Sequence, residues 1–252
     1  MKQKPTIVIV MPAYNAERTI RDTYYEIPPV FRKHIILVDD RSSDNTVAVA
    51  KSLHIKVFVH PKNLGYGGNQ KTCYRESLKL KPDIVVMLHP DYQYDARLME
   101  ELIEPIIKGR FDFMFGSRIQ SRKSALSGGM PKFKYYINRI MCILENMLLD
   151  VNFTEHFSGF RAYSTKVLKT VPFQKFSNDF VFDQQMTIST LSHRFKIGET
   201  PITTRYHEKA SSIGVLKGIK FIVDIFWNIF LYKMHKLGLI KSKIYQSLPR
   251  MS

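Results

Sequence analysis

Four short apolar runs constrain the fold of this chain more than any other feature: residues 6–11, 34–38, 55–59 and 84–89, each five or six residues long and rich in Val and Ile. Stretches of helical periodicity separate them. Runs of that length, apolar on both faces, suit the strands of a parallel sheet covered on both sides, and the alternation implies right-handed helical crossovers. The way the runs end matters as much. The first stops at Pro12-Ala13-Tyr14-Asn15, the second at Asp39-Asp40, the third leads to Asn63-Leu64-Gly65-Tyr66-Gly67-Gly68-Asn69, and the fourth to His89-Pro90-Asp91-Tyr92-Gln93-Tyr94-Asp95. Ligands of such sheets bind beyond the carboxyl ends of the strands, so the chemistry is expected at these breaks.

Asn15 is placed to cap a helix running to Glu26, with Ile20, Tyr24 and Ile27 on one side. Further helices are expected at 42–53 and 69–80, and another from Leu98, Leu102, Ile106 and Ile107. A strand at 111–115 ends in Gly116-Ser117-Arg118, and the Ser-, Gly- and Lys-rich segment 120–134 reads as a mobile loop beside the active site. The helix at 135–149 is apolar on most sides, which fits burial or lipid contact. A turn at 154–161 enters a short strand, a helix begins within 179–185, and a last strand covers 195–203. The expected architecture is α/β, a mostly parallel sheet with helices on both faces over 1–212, followed by an amphipathic helical tail at 213–252.

The formal charge of +16, from 38 Lys and Arg against 22 Asp and Glu, favours an anionic partner: nucleic acid, a phosphorylated small molecule or an anionic membrane face. Between 205 and 250 nine Lys and Arg face only Glu208 and Asp224. The apolar run 221–232 is about twelve residues, short of the roughly 20 needed to cross a bilayer. Basic residues around an aromatic, apolar run suit a helix lying on anionic lipid. Cys73 and Cys142 have neither zinc-finger spacing nor the density of a disulfide scaffold, which points to a reducing cytosolic setting. The first apolar run is too short for a secretory signal.

Asp39 and Asp40 suit either a helix cap or a nucleotide site, in which one carboxylate accepts from base or ribose while the other holds the loop. Pro12, Ala13 and Tyr14, with Asn15 beside them, would offer backbone groups and an aromatic face to the same nucleotide. Gly68 belongs to a glycine-rich segment that could let backbone approach a nucleotide, although it lacks the phosphate-loop ending and the dinucleotide spacing, and turn chemistry explains it equally well. Asp91 supplies a hard oxygen and Gln93 a neutral one, as Mg²⁺ or Mn²⁺ with phosphate ligands requires. His89 is either a softer donor that tilts the site toward Mn²⁺ or a strand-end residue only. Asp183 reads as a buried cap or a general base. Arg118, Arg139, Arg161 and Arg205 either face solvent or grip phosphate bidentately.

Taken in order, Met11-Pro12-Ala13-Tyr14-Asn15, Asp39-Asp40-Arg41-Ser42, Asp91 with Gln93, Gly116-Ser117-Arg118, Ser158-Gly159-Phe160-Arg161 and the 205–212 region resemble the family-two inverting glycosyltransferases of GT-A fold. The likeness is to the dolichol-phosphate mannosyltransferase-like branch in particular. It spans roughly residues 5–212. By resemblance, Pro12, Ala13, Tyr14 and Asp40 hold a nucleoside-diphosphate sugar, Asp91 and Gln93 hold the metal, and Arg118 and Arg205, with Arg139, hold the phosphate of a polyprenyl phosphate acceptor. Asp183 is the base implied. The mechanism implied is in-line displacement with inversion, in which metal and cationic side chains stabilise the departing diphosphate. Two residues depart from the family pattern: His89 stands in place of the first Asp of Asp-x-Asp, and Arg41 in place of the Gly of Asp-Gly-Ser.

Two further readings fit the composition: a soluble transferase acting on a glycan, and a non-enzymatic protein that binds nucleic acid or an anionic surface. No nucleic-acid module is recognisable, so nucleic acid is not expected as a partner. The leading expectation is a cytoplasmic enzyme, peripheral on the inner face of the membrane.

Overall fold

The computed structural model describes residues 4–119, 125–126, 129–205 and 214–245. Its strands are β1 (Ile7–Ala13), β2 (Ile35–Asp39), β3 (Lys56–Val59), β4 (Ile84–Met87), β5 (Phe113–Ser117), β6 (Arg161–Ser164) and β7 (Ile197–Pro201). They form one sheet in the order β3-β2-β1-β4-β6-β5-β7. The pairs β1–β2, β1–β4, β2–β3 and β5–β7 are parallel, whereas β6 runs antiparallel to both β4 and β5. That reversal positions the site: the first residue of β6, Arg161, lies opposite Met87 and Phe115, at the carboxyl ends of its neighbours.

The helices are α1 (Ile20–Glu26), α2 (Thr46–Ser52), α3 (Tyr66–Leu78), α4 (Met99–Ile107), α5 (Lys132–Leu149), α6 (Thr165–Thr170), α7 (Phe182–Ser192) and α8 (Val215–Lys236). Successive strand residues point to opposite faces, and β1 shows it. Ile9 and Met11 join Ile20, Ile27, Leu102 and Ile106 in one core, while Val8 and Val10 join Tyr74, Val167, Phe182 and Met186 in the other. Both faces of the sheet are therefore covered, and each fully buried Val or Ile contributes on the order of 2 kcal/mol.

Several expected boundaries move. Asn15 does not cap a helix: it has φ 52°, its Oδ1 accepts from Ser43 N at 2.9 Å, and α1 begins only at Ile20. Helix α3 starts inside the glycine-rich segment, at Tyr66, and α6 was not anticipated. Residues 120–124 and 127–128 of the expected mobile loop lie outside the described residues, as do 206–213 and 246–252. Ala125 and Met130 are buried with Ile119, Tyr135 and Cys142, so the described part of that loop is anchored at these two residues. The tail is not a detached appendage. Helix α8 buries Ile225, Ile229 and Tyr232 in a cluster shared with Met141 and Leu149 of α5 and Ile188 of α7, and Tyr245 folds back onto it. Among the described residues no helix is long and apolar enough to cross a membrane.

Candidate active site

The carboxyl end of β2 is fastened from within. Asp39 accepts from the Ser42 backbone N–H and hydroxyl. Asp40 accepts from Leu64 N (2.8 Å), Gly65 N (3.0 Å) and His60 Nδ1 (2.8 Å), so its carboxylate is the clamp that holds the glycine-rich loop. A carboxylate offers about four acceptor positions, which leaves Asp39 one on each oxygen and Asp40 one in all. Ala13 gives its carbonyl to Asp40 N and Asn69 Nδ2, Pro12 is buried opposite Val38, and Tyr14 stands 57 % exposed at the strand end, where an aromatic base could stack. The amides of Gly67 and Gly68 point at the Asn178 carbonyl, and a Cβ on Gly67 would lie 2.5 Å from Ser177 O. These glycines let α3 approach the 177–182 segment.

Beyond β4, Asp91 Oδ1 accepts from Gln93 N at 3.1 Å. Gln93 is only 6 % exposed, yet its side-chain amide has no hydrogen-bond partner among the described residues. An amide without a protein partner is open to water or to a ligand. Among the described residues no cluster of three His, Cys, Asp or Glu is set up to hold a metal. The donors present therefore fit a cation that takes most of its ligands from phosphate and water, as Mg²⁺ and Mn²⁺ do. His89 is stacked on Tyr66, with ring centroids 5.4 Å apart and planes within 7°. Burial pulls its pKa down, against the opposing charges of Asp91 and Asp183, so the ring is held neutral.

Asp183 sits in the first turn of α7, where the helix dipole favours its charge. Its Oδ2 accepts from the Tyr66 hydroxyl at 2.6 Å and its Oδ1 from Gln70 Nε2 at 3.1 Å. Arg161, fully buried, lies 3.9 Å away and donates to the carbonyls of Ser158, Asp183 and His156. Burial pulls the Arg161 pKa down and the Asp183 carboxylate overrides it, so the guanidinium stays charged. Tyr66 is held protonated, first by burial and then by Asp183.

The four arginines do not converge. Arg118, expected on the acceptor phosphate, instead forms a buried pair with Glu155: its Nε and Nη2 both donate to Oε1 and its backbone N–H donates to Oε2. The reason is electrostatic, since Glu155 is fully buried and an uncompensated carboxylate there would cost several kcal/mol. Arg139 meets the same turn through Thr154 O at 3.4 Å. Arg205 is a third exposed; it grips Glu26 with two bonds and lies over the Tyr92 ring, 4.5 Å from its centroid. Its backbone N–H donates to Gln93 O, which puts it beside Asp91 and Gln93.

Sequence reading passed over Tyr66, Gln70, Glu155 and Glu145. The signal for Tyr66 was its place between Gly65 and Gly67, and for its neighbour His89 it was Gly159, where a Cβ would fall 2.8 Å from the His89 ring. Glu145 on α5 is fully buried, accepts from Gln184 Nε2 at 2.7 Å and keeps Oε1 without a partner. Gln184 in turn accepts from Asn228 of α8 at 2.9 Å.

Both helices bury polar residues beside apolar ones such as Met141, Leu149, Ile225 and Ile229, and still leave large apolar side chains on their outer faces. Helix α5 buries Asn138 and Glu145 and exposes Phe133, Ile137, Ile140, Leu144 and Met147. Helix α8 buries Asn228 and exposes Leu216, Ile219, Val223, Trp227 and Phe230. A file of rings links α8 to the site: Phe221 to Phe180 at 6.3 Å, Phe180 to Tyr66 at 4.9 Å, and Tyr66 to His89.

Known proteins share this plan. A UDP-N-acetylglucosamine–dolichyl-phosphate N-acetylglucosaminyltransferase of Methanococcus voltae is 28% identical over 248 residues, 92% of this chain and 97% of that protein. An uncharacterized protein of Methanocaldococcus jannaschii is 29% identical over 224 residues, 88% and 91% of the two chains. Among solved structures, glucosyl-3-phosphoglycerate synthase from Mycobacterium tuberculosis, in complex with Mn²⁺, uridine diphosphate and glucosyl-3-phosphoglycerate, matches with a TM-score of 0.68 over 91% of this chain and 80% of that one. At 19% identity that likeness speaks for the GT-A fold. The sequence profile named Glycosyl transferase family 2 matches residues 8–171, from β1 to the end of α6, and on that match the chain belongs to glycosyl transferase family 2.

Proposed function

We propose that the protein transfers a sugar, with inversion, from a UDP-sugar to a polyprenyl phosphate presented at a membrane surface. The observation that carries the acceptor is the set of exposed apolar side chains on α5 and α8. Apolar side chains of α5 and α8 face outward, with Lys132, Lys217, Lys220, Lys233 and Lys236 on the same two helices, and the ring file leads from α8 to His89. Exposed apolar side chains with lysines on the same helices suit the interface of an anionic bilayer. The names of the relatives agree with this reading: the Methanococcus enzyme is named for UDP-N-acetylglucosamine and dolichyl phosphate, and the mycobacterial enzyme was solved with uridine diphosphate and Mn²⁺. The protein would work as a cytoplasmic enzyme, peripheral on the inner face of the membrane, with residues 1–212 carrying catalysis and 213–252 adding to the membrane face.

Each residue then has a task. Tyr14 offers its exposed ring to the base, and Asp39 its remaining acceptor positions to base or ribose, while Asp40 holds the loop beneath, and Pro12, Ala13 and Asn15 shape the rim. Asp91 and Gln93, with His89, would hold Mg²⁺ or Mn²⁺. A cation bound there would neutralise the charge that develops on the departing diphosphate. Arg205, stacked on Tyr92 beside Gln93, orients the acceptor phosphate, with Arg139 as the second cation. Asp183 has acceptor positions left after its bonds to Tyr66 and Gln70, so it can take a proton or fix the acceptor oxygen for in-line attack.

The test is incubation with a panel of UDP-sugars and polyprenyl phosphate in phosphatidylglycerol vesicles. A glycolipid whose anomeric configuration is opposite to that of the donor is expected. No glycolipid with any donor, or efficient transfer to soluble glycans alone, would overturn the reading.

A further inference from the structure

Tyr66, His89 and Asp183 form a chain of hydrogen bonds in which each proton can be accounted for. Tyr66 has one hydroxyl proton and gives it to Asp183 Oδ2 across 2.6 Å. Asp183 accepts on both oxygens, since Gln70 Nε2 donates to Oδ1 at 3.1 Å and the buried Arg161 guanidinium lies 3.9 Å from the same oxygen. A phenol that has donated its proton can only accept. The second neighbour of the Tyr66 oxygen is His89 Nε2 at 3.3 Å. Nε2 must then be the N–H, and in a neutral imidazole the other nitrogen carries the lone pair.

The ring is fixed in that attitude. Tyr66 lies parallel to one face, and Gly159 comes so close that even a methyl group there would touch Nε2 and Cδ2 at 2.8 Å. Turning the ring over would lose the bond to Tyr66. Nδ1 has no protein partner among the described residues, and Asp91 is two residues further along.

We propose that Tyr66 is a positioning residue that fixes His89 as its Nε2–H tautomer and so leaves Nδ1 as a neutral nitrogen ligand for the divalent cation beside Asp91. The inference rests on the metal reading of Asp91 given above and adds what the sequence could not: which nitrogen binds, and which residues choose it. It is a carboxylate–tyrosine–histidine relay, in which an outer group sets the tautomer of a ligand. A nitrogen donor in place of a carboxylate also removes one negative charge from the site and favours Mn²⁺ over the oxygen-seeking Mg²⁺.

Two measurements on the full chain test it without recourse to activity. In metal-free protein labelled with ¹⁵N-histidine, long-range ¹H–¹⁵N spectra at neutral pH should show His89, identified by its loss in His89→Gln, with Nε2 protonated and Nδ1 bare. A protonated Nδ1 overturns the proposal. Mn²⁺ affinity in the presence of UDP, read by electron paramagnetic resonance, should fall about tenfold in Tyr66→Phe, and the preference for Mn²⁺ over Mg²⁺ should narrow. Wild-type affinity and preference in Tyr66→Phe overturn the proposal. Asp91→Asn separates the two levels: if it loses Mn²⁺ while Tyr66→Phe does not, the relay fails and the metal reading stands, and if it keeps Mn²⁺, both fail.

Discussion

The two halves of the sheet handle charge in different ways. Around β1–β4, carboxylates are satisfied by nearby backbone: Asp39 by Ser42, three residues on, Asp44 by Thr46, two residues on, and Asp40 by the loop after the next strand. Around β5–β7, charges are buried and compensated across the chain: Arg118 by Glu155 and Arg161 by Asp183. Backbone donors fix a carboxylate while leaving acceptor positions open to a ligand. A buried ion pair does the opposite, since it closes both partners and makes each depend on the other for folding. The first half is thus suited to binding, and the second to holding Asp183 and the outward-facing helices in place.

Substitutions on the two sides should therefore fail differently. The largest effect is expected from Asp91→Ala, which should abolish sugar transfer while shifting the urea midpoint little, because Asp91 is partly exposed and its bond to the Gln93 backbone N–H is local, two residues along the chain. Full transfer in Asp91→Ala would remove the metal reading, and a large loss of stability would erase the contrast between the halves. Next comes Arg161→Leu, which leaves Asp183 and three carbonyls without their buried donor. Urea unfolding should show a loss of about 3–5 kcal/mol. A loss under about 1 kcal/mol would mean that the second half is not organised by its buried charges.

Gly159→Ala probes the seam, where the end of β4 meets the start of β6. An added methyl must displace the His89 ring or the Tyr66 hydroxyl, which it would approach to 2.8 and 3.4 Å. A loss of about 1–3 kcal/mol is expected from overpacking, with weaker Mn²⁺ binding alongside. Stability loss without any change in Mn²⁺ affinity would separate the packing of His89 from its ligand role.

The same contrast explains what the sequence disclosed. The strand ends were legible because a strand carries its own end with it. Asp39, Asp40 and Asp91 lie where an apolar run stops, and the structure gathers all three at one edge of the sheet. The protein partners of Gly68 and Arg118 were not legible because they are remote in sequence: Asn178 for the glycine segment, Glu155 for the arginine. Helix α5 is the sharpest case. Phe133, Ile137, Ile140, Leu144 and Met147 recur at helical spacing, a pattern that ordinarily marks the buried face. Here the opposite face, with Met141 and Leu149 on it, is inside, and Asn138 and Glu145 find Glu155 and Gln184 there. Periodicity alone could not reveal which face had a partner.

Glu145 offers the finest test of that arrangement. Burial pushes its pKa up to about 7, while burial and then Arg161 push that of His156, 3.7 Å away, down to about 4. Between those values both groups are neutral, so their contact is not an ion pair. A carboxyl whose folded pKa lies above its unfolded value, near 4.5, contributes stability that is complete below pH 4.5 and is lost as pH rises toward 7, because the unfolded chain releases its proton first. Glu145→Gln keeps an oxygen for Gln184 and cannot ionise. Its unfolding free energy should match wild type near pH 4 and exceed it by about 3 kcal/mol at pH 8. The acid-side loss due to His156, as pH falls from 6.5 toward 4, is common to both proteins and cancels in the difference. A constant offset between the two curves across this range would mean that Glu145 is charged throughout, and that it faces inward for its hydrogen bonds alone.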